Sequence, residues 1–419
     1  MKKRILVLSF DALGGADYQY MQKLPEFKEF LSKAAICDNV KSIYPSVTYA
    51  CHTSIVTGKL PINHGVISNT KLQPKRVNSP DWYWQRKYIK SDTIYDAAIR
   101  SGMKVGAFLW PVTAKSKIHY VLPEIFPNRK WDHQIFTSLR NGSPFFIINL
   151  FKKYKQMLHG ILQPNLDDFV AQCVVDTINS KAPEMLLVHF TDLDTARHDY
   201  GVNSKEAYEA INRLSIRFKT ITDTLKNQNI YEETTIVILG DHYQLDYHTK
   251  VNLNELFADS NLLQKRNKKI VKWQAIAKSN GGSAYIYTND NCDKLVLHEY
   301  LINLSLTQEN GIETIYTSDE AASFGADKNC AFMLEAKTGY VFTDNIGGGD
   351  KGKVADHGYH PTNKENYATF YAMAGPGIKA GNVRSEMSLI DIAPTWAEFL
   401  DLSLENVDGK VVKEMFDNE

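Results

Sequence analysis

The sequence predicts an α/β fold built around a buried parallel sheet. Short continuous apolar runs alternate with amphipathic helical segments, a pattern typical of βα units. Three of these runs are followed within a few residues by carboxylates, and ligands of open α/β sheets bind at the carboxyl ends of the strands. The first such carboxylate is Asp11, directly after the apolar run at residues 5–10. The sequence therefore predicts a functional site at this edge of the sheet.

The alternation can be followed along most of the chain. The predicted strands are residues 5–10, 104–109, 184–190, 234–239 and 368–374, with a short extended segment at 39–43. The predicted helices are residues 24–35, 93–101, 167–179, 204–228 and 388–402, the last with Pro394 near its first turn. Two segments break the pattern, at about 113–165 and 247–347. We therefore expect one domain spanning residues 1–419, with two insertions that cover the site.

Composition and charge are those of a soluble globular protein. The chain has 419 residues, enough for a sizeable core, and is 43% hydrophobic and 23% charged. Lys plus Arg and Asp plus Glu both number 48, which gives a formal net charge of +0. Because there is no overall basic field, a polymeric nucleic-acid partner is not expected.

No segment suggests export or membrane insertion. The basic start is followed by an apolar run that Asp11 interrupts too early for a signal peptide. No run approaches the roughly 20 apolar residues of a transmembrane helix, so we expect a cytoplasmic protein. The cysteines are scattered, odd in number and without a CxxC pair, which predicts reduced thiols. They are Cys37, Cys51, Cys173, Cys292 and Cys330.

One segment of the first insertion has two interpretations. The stretch FFIINLFKKYKQML, residues 145–158, predicts a helix in a lid over the site. Its apolar face and its basic residues Lys152, Lys153 and Lys155 are also compatible with a helix lying on a membrane surface. A basic run is more often the solvated face of a packed helix, so the lid interpretation is favoured.

Residues 44–69, YPSVTYACHTSIVTGKLPINHGVISN, contain a candidate nucleophile at the start of a helix. Pro45 keeps the preceding residue out of the helical region, Thr48 is a plausible N-cap, and residues 50–57 can form a short helix ended by Gly58. The unpaired N–H groups at such a helix start attract phosphate or sulfate. For an isolated Thr, an ordinary capped helix is by far the commoner explanation.

Six Asp and His residues favour the interpretation of Thr48 as a nucleophile. All follow predicted strands or lie in a glycine-flanked loop: Asp11, Asp194, His198, Asp241, His242 and His357. Their oxygen and nitrogen donors are those that Zn²⁺ accepts in catalytic sites. Six such ligands suffice for two metal ions that hold the attacking and leaving oxygens of an in-line displacement. Metal coordination is one of the few ways to activate Thr48, a weak nucleophile at its own pKa.

Spacing within the DLDTARHDYG segment indicates a chelating pair. Asp194 and His198 are spaced i, i+4, so on a helical turn both side chains face the same way. Asp192 is an alternative to Asp194, because the segment offers two carboxylates.

These segments resemble the nucleotide pyrophosphatase/phosphodiesterase family of the alkaline phosphatase superfamily, and the resemblance covers nearly the whole chain. The matching segments occur in the order that the family shows: LSFDALGG, PSVTYACHTSIVTGKLPINHGVISN, DLDTARHDYG, ILGDH, DHGY and SLIDIAPTWAEFLDL. The resemblance implies an alkaline-phosphatase-like three-layer sandwich, with a mostly parallel central sheet flanked by helices and inserted lid segments. It also favours Asp194 over Asp192.

The resemblance further implies a role for each site residue. One zinc would be held by Asp11, Asp241 and His242, the other by Asp194, His198 and His357, and Thr48 would bridge the two metals. Thr48 would attack phosphorus to give a phospho-threonine that metal-activated water hydrolyses, with overall retention. Asn69 matches the family's donor to a non-bridging phosphoryl oxygen, an oxyanion-type contact. Tyr49 matches an aromatic residue that stacks on the leaving or retained group, often a nucleobase.

Three residues depart from the family's pattern. Arg197 stands where a glycine usually precedes the metal-binding His, Tyr243 where a glycine usually follows the Asp-His pair, and Ala50 where a proline is usual. Bulk at Arg197 and Tyr243 would narrow the site or add a phosphate contact. The substrate range is therefore left open, whereas metal binding is expected.

Other activities were weighed against a small-molecule phosphodiester or nucleotide substrate. The stretch 347–353, GGGDKGK, satisfies the P-loop spacing, but Val354 replaces the Ser or Thr that should bind Mg²⁺. A sulfatase would have Pro and Arg where Ala50 and His52 stand, and a phosphomonoesterase would need a cationic group beside Thr48. Phosphonate hydrolysis uses nearly the same metal set, and a non-catalytic metal-binding protein would need neither Thr48 nor Asn69.

Overall fold

The computed structural model describes residues 3–129, 132–348, 352–381 and 384–417. The strands of this part of the chain are β1 (Arg4–Phe10), β2 (Ala35–Lys41), β3 (Val105–Phe108), β4 (Tyr120–Leu122), β5 (Met185–Phe190), β6 (Thr234–Leu239), β7 (Leu245–Asn252), β8 (Leu263–Arg266), β9 (Lys269–Trp273), β10 (Ala275–Ser279), β11 (Ser283–Thr288), β12 (Ile312–Thr317), β13 (Phe332–Ala336), β14 (Gly339–Thr343), β15 (Ala355–Asp356), β16 (Thr369–Ala374) and β17 (Met387–Ser388).

The α-helices of the same residues lie between these strands. They are α1 (Tyr18–Met21), α2 (Pro25–Leu31), α3 (Thr48–Thr57), α4 (Pro61–His64), α5 (Ile94–Arg100), α6 (Gln134–Asn141), α7 (Pro144–Tyr154), α8 (Asn165–Lys181), α9 (Asp192–Tyr200), α10 (Lys205–Asn227), α11 (Leu253–Asp259), α12 (Lys294–Leu306), α13 (Ser318–Ser323) and α14 (Ile392–Phe399).

An eight-stranded sheet in the order β17-β2-β16-β6-β1-β5-β3-β4 forms the centre of the protein. Strand β1 pairs in parallel with both β5 and β6, which places the carboxyl ends of these three strands side by side. Only β16 runs antiparallel to its neighbours, β2 and β6. The predicted mostly parallel sheet is therefore confirmed.

Helices cover both faces of this sheet. Along β1, Leu6, Leu8 and Phe10 pack into one core with residues of α2, α8 and α10, whereas Ile5 and Val7 pack into a second core with residues of α3, α5 and α14. This alternation is the period of two that a strand imposes on its side chains. The result is the expected three-layer sandwich, in which the middle layer is buried on both sides.

One predicted helix is too long. Residues 24–35 were expected to be helical, but α2 ends at Leu31 and Ala35 already begins β2, which also contains part of the extended segment expected at 39–43. The buried residues Ala35, Ile36 and Cys37 continue the apolar pattern of the helix into the strand, so periodicity alone misplaced the boundary. The other predicted helices and strands agree with the structure apart from shifts at their ends.

The two predicted insertions form separate structures. The segment 113–165 contributes the short edge strand β4 and the helices α6 and α7. The segment 247–347 carries all of a four-stranded sheet, β10-β11-β13-β12, and most of the mixed sheet β14-β7-β15. These strands enclose a third hydrophobic cluster beside the central sheet. The division into one domain with two insertions stays a prediction.

Two sequence-based expectations concern thiols and membrane segments. All five cysteines are free, and four of them are buried. Among the helices in the described ranges, none has the length and apolarity needed to cross a membrane.

Glu335 on β13 joins the second insertion to two loops of the central domain. Its carboxylate accepts hydrogen bonds from the Tyr44 hydroxyl at 2.9 Å and from the His360 backbone N–H at 3.0 Å. Lys364 lies 3.3 Å away, and its side chain is buried as well. Tyr44 precedes Thr48 by four residues and His360 follows His357 by three, so one buried carboxylate holds the two loops in register.

We predict that Glu335 makes stability depend on pH. Burial raises the pKa of Glu335 from 4.5 to about 7, although Lys364 opposes the shift. A raised carboxyl pKa adds stability below the unfolded-state value, and this stability is lost as pH rises through the folded-state value. Between about pH 4.5 and 7.5 the unfolding free energy of wild type should fall relative to Glu335→Gln by up to about 3 kcal/mol.

Denaturant unfolding at several pH values measures this difference. Glu299→Gln, on an exposed position of α12, is the matched control and should follow the wild-type slope. Parallel wild-type and Glu335→Gln profiles across this pH range would contradict the prediction.

Candidate active site

The site lies where β1, β5 and β6 end. Asp11 follows β1 directly, and its backbone N–H donates to the Phe190 carbonyl at the end of β5. Asp241 and His242 follow β6 after a single glycine. The helix α9, which begins two residues after β5, carries Asp194 and His198. Parallel pairing of the three strands therefore brings together residues that are more than 200 positions apart in the chain.

Four of the predicted residues meet around one nitrogen of His242. The Nε2 atom of His242 lies 3.1 Å from the Thr48 hydroxyl, 3.3 Å from Oδ1 of Asp11 and 3.4 Å from Oδ2 of Asp241. All four side chains are buried. The site thus presents a hydroxyl, two carboxylates and an imidazole to one point.

A second set of ligand atoms lies next to the first. In each of two groups, Asp194 with His198 and His357, and Asp11 with Asp194 and His242, the ligand atoms lie within 4.8 Å of one another. His357 lies in a loop after β15, and its ring centre is 4.2 Å from that of His242. Asp194 therefore stands between the two groups rather than in one group alone.

Thr48 does not act as the N-cap of α3. The cap is Val47 in extended conformation, Thr48 is the first helical residue, and its hydroxyl faces His242 instead of a backbone N–H. The predicted end of the helix is confirmed, because Gly58 has a φ of 65° and its N–H donates to the Ser54 carbonyl. A capping hydroxyl would have turned back onto the helix, whereas this one points into the cluster.

Burial and mutual repulsion determine the charges of the carboxylates. Burial, followed by repulsion from Asp194 and Asp241, raises the pKa of Asp11 well above its ordinary value. Burial also disfavours ionised Asp241 and Asp194, but neighbouring histidines outweigh it and lower the pKa of each. Concentrating carboxylates in one buried space is costly unless cations are present.

The donor atoms fit divalent metal ions. Oδ1 of Asp11 and Oδ2 of Asp241 are buried and lack a hydrogen-bond partner. Burial lowers the pKa of His357 to about 3, which leaves that ring neutral and able to donate a lone pair. Buried carboxylates and neutral imidazoles with unsatisfied atoms are donors that divalent metal ions accept.

Hydrogen bonds from behind the cluster orient several of these ligands. Gln244 donates to Oδ1 of Asp194 at 2.5 Å, and Nδ1 of His198 lies 2.7 Å from the Ala355 carbonyl. Such partners set the tautomer and direction of a metal-binding side chain. The sequence analysis missed Gln244, although its place three residues after Asp241 is a usable signal.

Two buried histidines support the carboxylates and were also missed. Nε2 of His189 lies 3.3 Å from Oδ2 of Asp11, and Nδ1 of His52 lies 3.4 Å from Oδ2 of Asp241. Burial lowers the pKa of His189 well below its ordinary value, so this ring is neutral. His52 is spaced i, i+4 from Thr48 on α3, which is a signal that the sequence does contain.

Asn69 and Tyr49 occupy different positions at the site. Oδ1 of Asn69 accepts from the Tyr49 backbone N–H at 2.9 Å, so the Asn69 amide NH₂ group is the part left to donate into the cavity. The Tyr49 side chain is 0% exposed, and its ring centre lies 5.2 Å from that of Trp82. Stacking of Tyr49 on a substrate therefore stays a prediction.

Asp192 and Asp194 have different partners in the structure. Asp192 is paired with Arg213 at 2.7 Å and with Arg217 at 2.8 Å, away from the cluster. Asp194 lies in both groups of candidate ligands. The i, i+4 spacing to His198 thus pointed to the carboxylate that lies with the other candidate ligands; its role as a ligand stays a prediction.

The prediction that Arg197 and Tyr243 narrow the site or contact phosphate is not supported by their positions. Arg197 is 1% exposed, pairs with Asp17 at 2.6 Å and lies 4.7 Å from the Tyr243 ring centre. Neither residue lines the cavity described below. A Cβ atom on Gly14 would lie 2.2 Å from the Tyr243 ring, so Gly14 makes room for this ring. The two departures from the family's pattern therefore pack on each other.

A cavity of about 600 Å³ opens from the cluster. Thr48, Asn69 and Asp194 line it at the site, and Glu124 lines it nearby. Burial raises the pKa of Glu124 to about 8, which makes its protonated form a hydrogen-bond donor near neutral pH. The sequence analysis gave no role to Glu124.

Lys353 also lines this cavity. It belongs to the stretch with P-loop spacing, of which residues 349–351 lie outside the described part of the chain. In the described part, the stretch connects β14 to β15 rather than a strand to a helix, so a P-loop is not formed there.

Comparison with solved structures identifies the fold. Murine ectonucleotide pyrophosphatase/phosphodiesterase 5 aligns with a TM-score of 0.71 at 18% sequence identity, covering 99% of this chain and 100% of that chain. An inactive threonine-to-alanine form of the murine protein, in complex with AMP, aligns equally well, at 17% identity. The fold with its Asp and His cluster thus defines an α/β protein of the alkaline-phosphatase-like class.

A family model described as type I phosphodiesterase/nucleotide pyrophosphatase matches residues 5–360. The chain belongs to this family. Human ectonucleotide pyrophosphatase/phosphodiesterase family member 1 is 24% identical over 245 residues, which cover 55% of this chain and 23% of the human protein. Mouse bis(5'-adenosyl)-triphosphatase enpp4 is 21% identical over 413 residues, 95% of this chain and 78% of that protein. The match thus spans about a quarter of the human relative and most of the mouse one.

We predict that the Asp17–Arg197 pair contributes strongly to stability. Arg197→Met should cost about 3–5 kcal/mol in unfolding free energy, because it leaves the buried Asp17 carboxylate without its cation. Adding Asp17→Asn should recover part of this loss, with a coupling of about 1–3 kcal/mol in the double-mutant cycle. Denaturant unfolding of metal-depleted protein provides the measurement.

Arg100→Met is the matched control for this cycle. It breaks a half-exposed ion pair with Asp92 and should cost less than about 1 kcal/mol. If the Asp17 and Arg197 substitutions were additive, the two side chains would not act as a pair.

Proposed function

We propose that the protein is a metal-dependent hydrolase of phosphodiester or nucleotide pyrophosphate bonds, with Thr48 as the nucleophile. The observation that carries this proposal is the placement of the Thr48 hydroxyl 3.1 Å from Nε2 of His242, beside Asp11 and Asp241. A hydroxyl held among candidate metal ligands is a nucleophile in the position where it can be activated. Membership of the phosphodiesterase family supports the same reaction class.

The cofactors that we propose are two divalent metal ions, most suitably Zn²⁺. Asp11, Asp241 and His242 would hold one, and Asp194, His198 and His357 the other. When bound, the metals would lower the pKa of the Thr48 hydroxyl and neutralise charge on the phosphoryl group. The mixed oxygen and imidazole donors suit zinc, although Mn²⁺ and iron accept the same set.

Thr48 performs the displacement at phosphorus. The Thr48 oxygen forms a bond to phosphorus while the bond from phosphorus to the leaving oxygen breaks, and the Thr48 proton is lost to solvent. A water molecule then cleaves the phospho-threonine, which restores Thr48 and releases the phosphorylated product. Two successive in-line displacements give overall retention at phosphorus.

Asn69 and the start of α3 would stabilise the charge that develops. The hydrogen bond from the Tyr49 N–H to Oδ1 of Asn69 supports this role, because it leaves the amide NH₂ group to donate to a non-bridging phosphoryl oxygen. The first N–H groups of α3 add the positive end of the helix dipole beside Thr48.

A nucleotide is the first substrate to test. The murine structural relative was solved in complex with AMP in its threonine-to-alanine form, and the mouse sequence relative is named for cleavage of a dinucleoside triphosphate. Trp82 lines the cavity and packs on Tyr49, so these two rings are the candidates for stacking on a base.

A phosphomonoester or phosphonate substrate is the second candidate. Lys353 lines the cavity, and it supplies a cationic group of the kind that a doubly charged ester needs. The non-catalytic alternative, a protein that only binds metal, requires metal loading without turnover.

We predict that Thr48→Ala abolishes hydrolysis while metal binding persists. Activity should fall by at least about 10³-fold, because the nucleophile is removed and only binding and charge stabilisation remain. The assay uses bis-p-nitrophenyl phosphate and the p-nitrophenyl ester of thymidine monophosphate, together with metal analysis. The phosphomonoester and phosphonate candidates are tested with p-nitrophenyl phosphate and phosphonoacetate. Undiminished diester hydrolysis in Thr48→Ala would rule out this mechanism.

We predict that Asn69→Asp lowers kcat by about 10²–10³-fold, as loss of one oxyanion donor typically does. This substitution keeps an oxygen to accept from the Tyr49 N–H, so it separates the proposed donor role from the structural one. The unfolding midpoint should stay close to that of wild type. A variant that retains wild-type kcat would show that Asn69 only holds the loop.

A further inference from the structure

The hairpin formed by β8 and β9 concentrates positive charge in the second insertion. Residues 260–289 contain no Asp or Glu, although acidic and basic residues are equal in number over the whole chain. The two strands and the turn between them carry five basic residues, all with exposed side chains: Lys265, Arg266, Lys268, Lys269 and Lys272. The hairpin is therefore a local basic patch on a protein without net charge.

The register of the two strands sorts these residues onto two faces. Residues that stand directly opposite each other in an antiparallel pair lie on the same face. Lys265 stands opposite Ile270, which packs with Leu263 into the third hydrophobic cluster, so these residues mark the inner face. The pairs that alternate with them form the outer face: Gln264 with Lys272, and Arg266 with Lys269.

The inner and outer cations differ in their partners. Lys265 on the inner face forms an ion pair with Glu255 of α11. Arg266, Lys269 and Lys272 on the outer face form no ion pair with any residue in the described ranges. Like charges that stand directly opposite each other, as those of Arg266 and Lys269 do, destabilise a strand pair. The outer face thus carries charge that the described part of the chain does not neutralise.

The turn of the hairpin adds a further cation at its tip. Asn267 and Lys268 have φ values of 50° and 57°, the left-handed conformation that both central residues adopt in a type I′ turn. Glycine is favoured at the second of these positions, because a side chain there is strained. The chain therefore places a lysine at the tip although its backbone conformation favours glycine.

A β-bulge places one apolar side chain among these cations. The register shifts between Gln264 and Lys265, which leaves Val271 of β9 as the extra residue without an opposite partner. Val271 is 54% exposed and directly precedes Lys272. The outer surface of the hairpin thus combines an exposed apolar residue with cations on long aliphatic stems.

We propose that the outer face of the β8–β9 hairpin binds an anionic lipid surface. Anionic headgroups neutralise the unpaired cations, and Val271 enters the boundary between the headgroups and the acyl chains. A soluble polyanion would neutralise the same cations but leave Val271 in water, so a lipid surface fits this face better. The residues that line the cavity at Thr48 do not include those of the outer face, so this inference is independent of the proposed function.

Cosedimentation of the full-length chain with lipid vesicles tests this proposal. Vesicles of phosphatidylcholine alone are compared with vesicles that also contain phosphatidylserine, at low and at high sodium chloride. Binding should require phosphatidylserine and weaken as salt screens the charges. Absence of binding to the phosphatidylserine vesicles at low salt would overturn the proposal.

A triple substitution locates the binding face. In Arg266→Gln/Lys269→Gln/Lys272→Gln the vesicle partition coefficient should fall by about fivefold for each cation removed, or about 100-fold in total. The matched control removes the same charge from exposed positions elsewhere and should bind like wild type: Lys379→Gln/Lys410→Gln/Lys413→Gln. Equal losses in the two triple variants would show that net charge alone causes binding, and would refute the assignment to the hairpin.

Two single substitutions separate a lipid surface from a soluble polyanion and from a folding defect. Val271→Thr keeps a β-branched side chain but makes it polar, so it should weaken vesicle binding severalfold and leave binding of dextran sulfate unchanged. Lys268→Gly removes a charge but suits the turn, so vesicle binding should fall by about fivefold while the unfolding midpoint rises. Binding of dextran sulfate without binding of vesicles, or vesicle binding that Val271→Thr does not weaken, would refute the lipid surface.

Discussion

Mutual repulsion among three carboxylates, the buried Asp11 and Asp241 and the half-buried Asp194, is the constraint on which the site depends. Parallel pairing of β1 with β5 and β6 brings these groups into one desolvated space, where like charges destabilise one another. The neutral His189 ring can orient Asp11 but cannot cancel its charge. Cations bound at this site would relieve the repulsion, and the free energy of their binding would then add to the free energy of folding.

The sheet and the convergence of the candidate metal ligands were predictable because their signals are local in the sequence. An apolar run followed by Asp or His predicts a polar group at the end of a strand. The carboxyl ends of parallel strands lie at one edge of the sheet, so such groups come close together. The spacing of Asp194 and His198 likewise encodes a shared helical face. For these residues, knowledge of the fold class is enough to place them within reach of one another.

Residues that act through distant partners were not predictable in this way. Glu335 contacts Tyr44 across 291 positions, and Arg197 contacts Asp17 across 180, so neither role leaves a pattern in its own segment. Thr48 was expected to cap α3 as well as to meet the candidate ligands, because the capping pattern is local; its hydroxyl faces only the latter, at His242 after another strand. The apolar lining of the cavity beside Thr48 was not predicted, for a related reason. Periodicity identifies the buried face of a helix, but it does not show whether that face meets a core or a cavity.

The packing of Arg197, Tyr243 and Gly14 has an evolutionary consequence. The Tyr243 ring fills the space where Gly14 lacks a side chain, and it also faces the Arg197 guanidinium, whose charge is matched by Asp17. Exchanging any one of these four residues alone leaves either a void, a clash or an unpaired buried charge. The group therefore constitutes an epistatic unit: a lineage that changes one member must pass through a destabilised intermediate before the others follow. Two candidate metal ligands adjoin this group in the chain, since His198 follows Arg197 and His242 precedes Tyr243, so the same constraint extends to the candidate site.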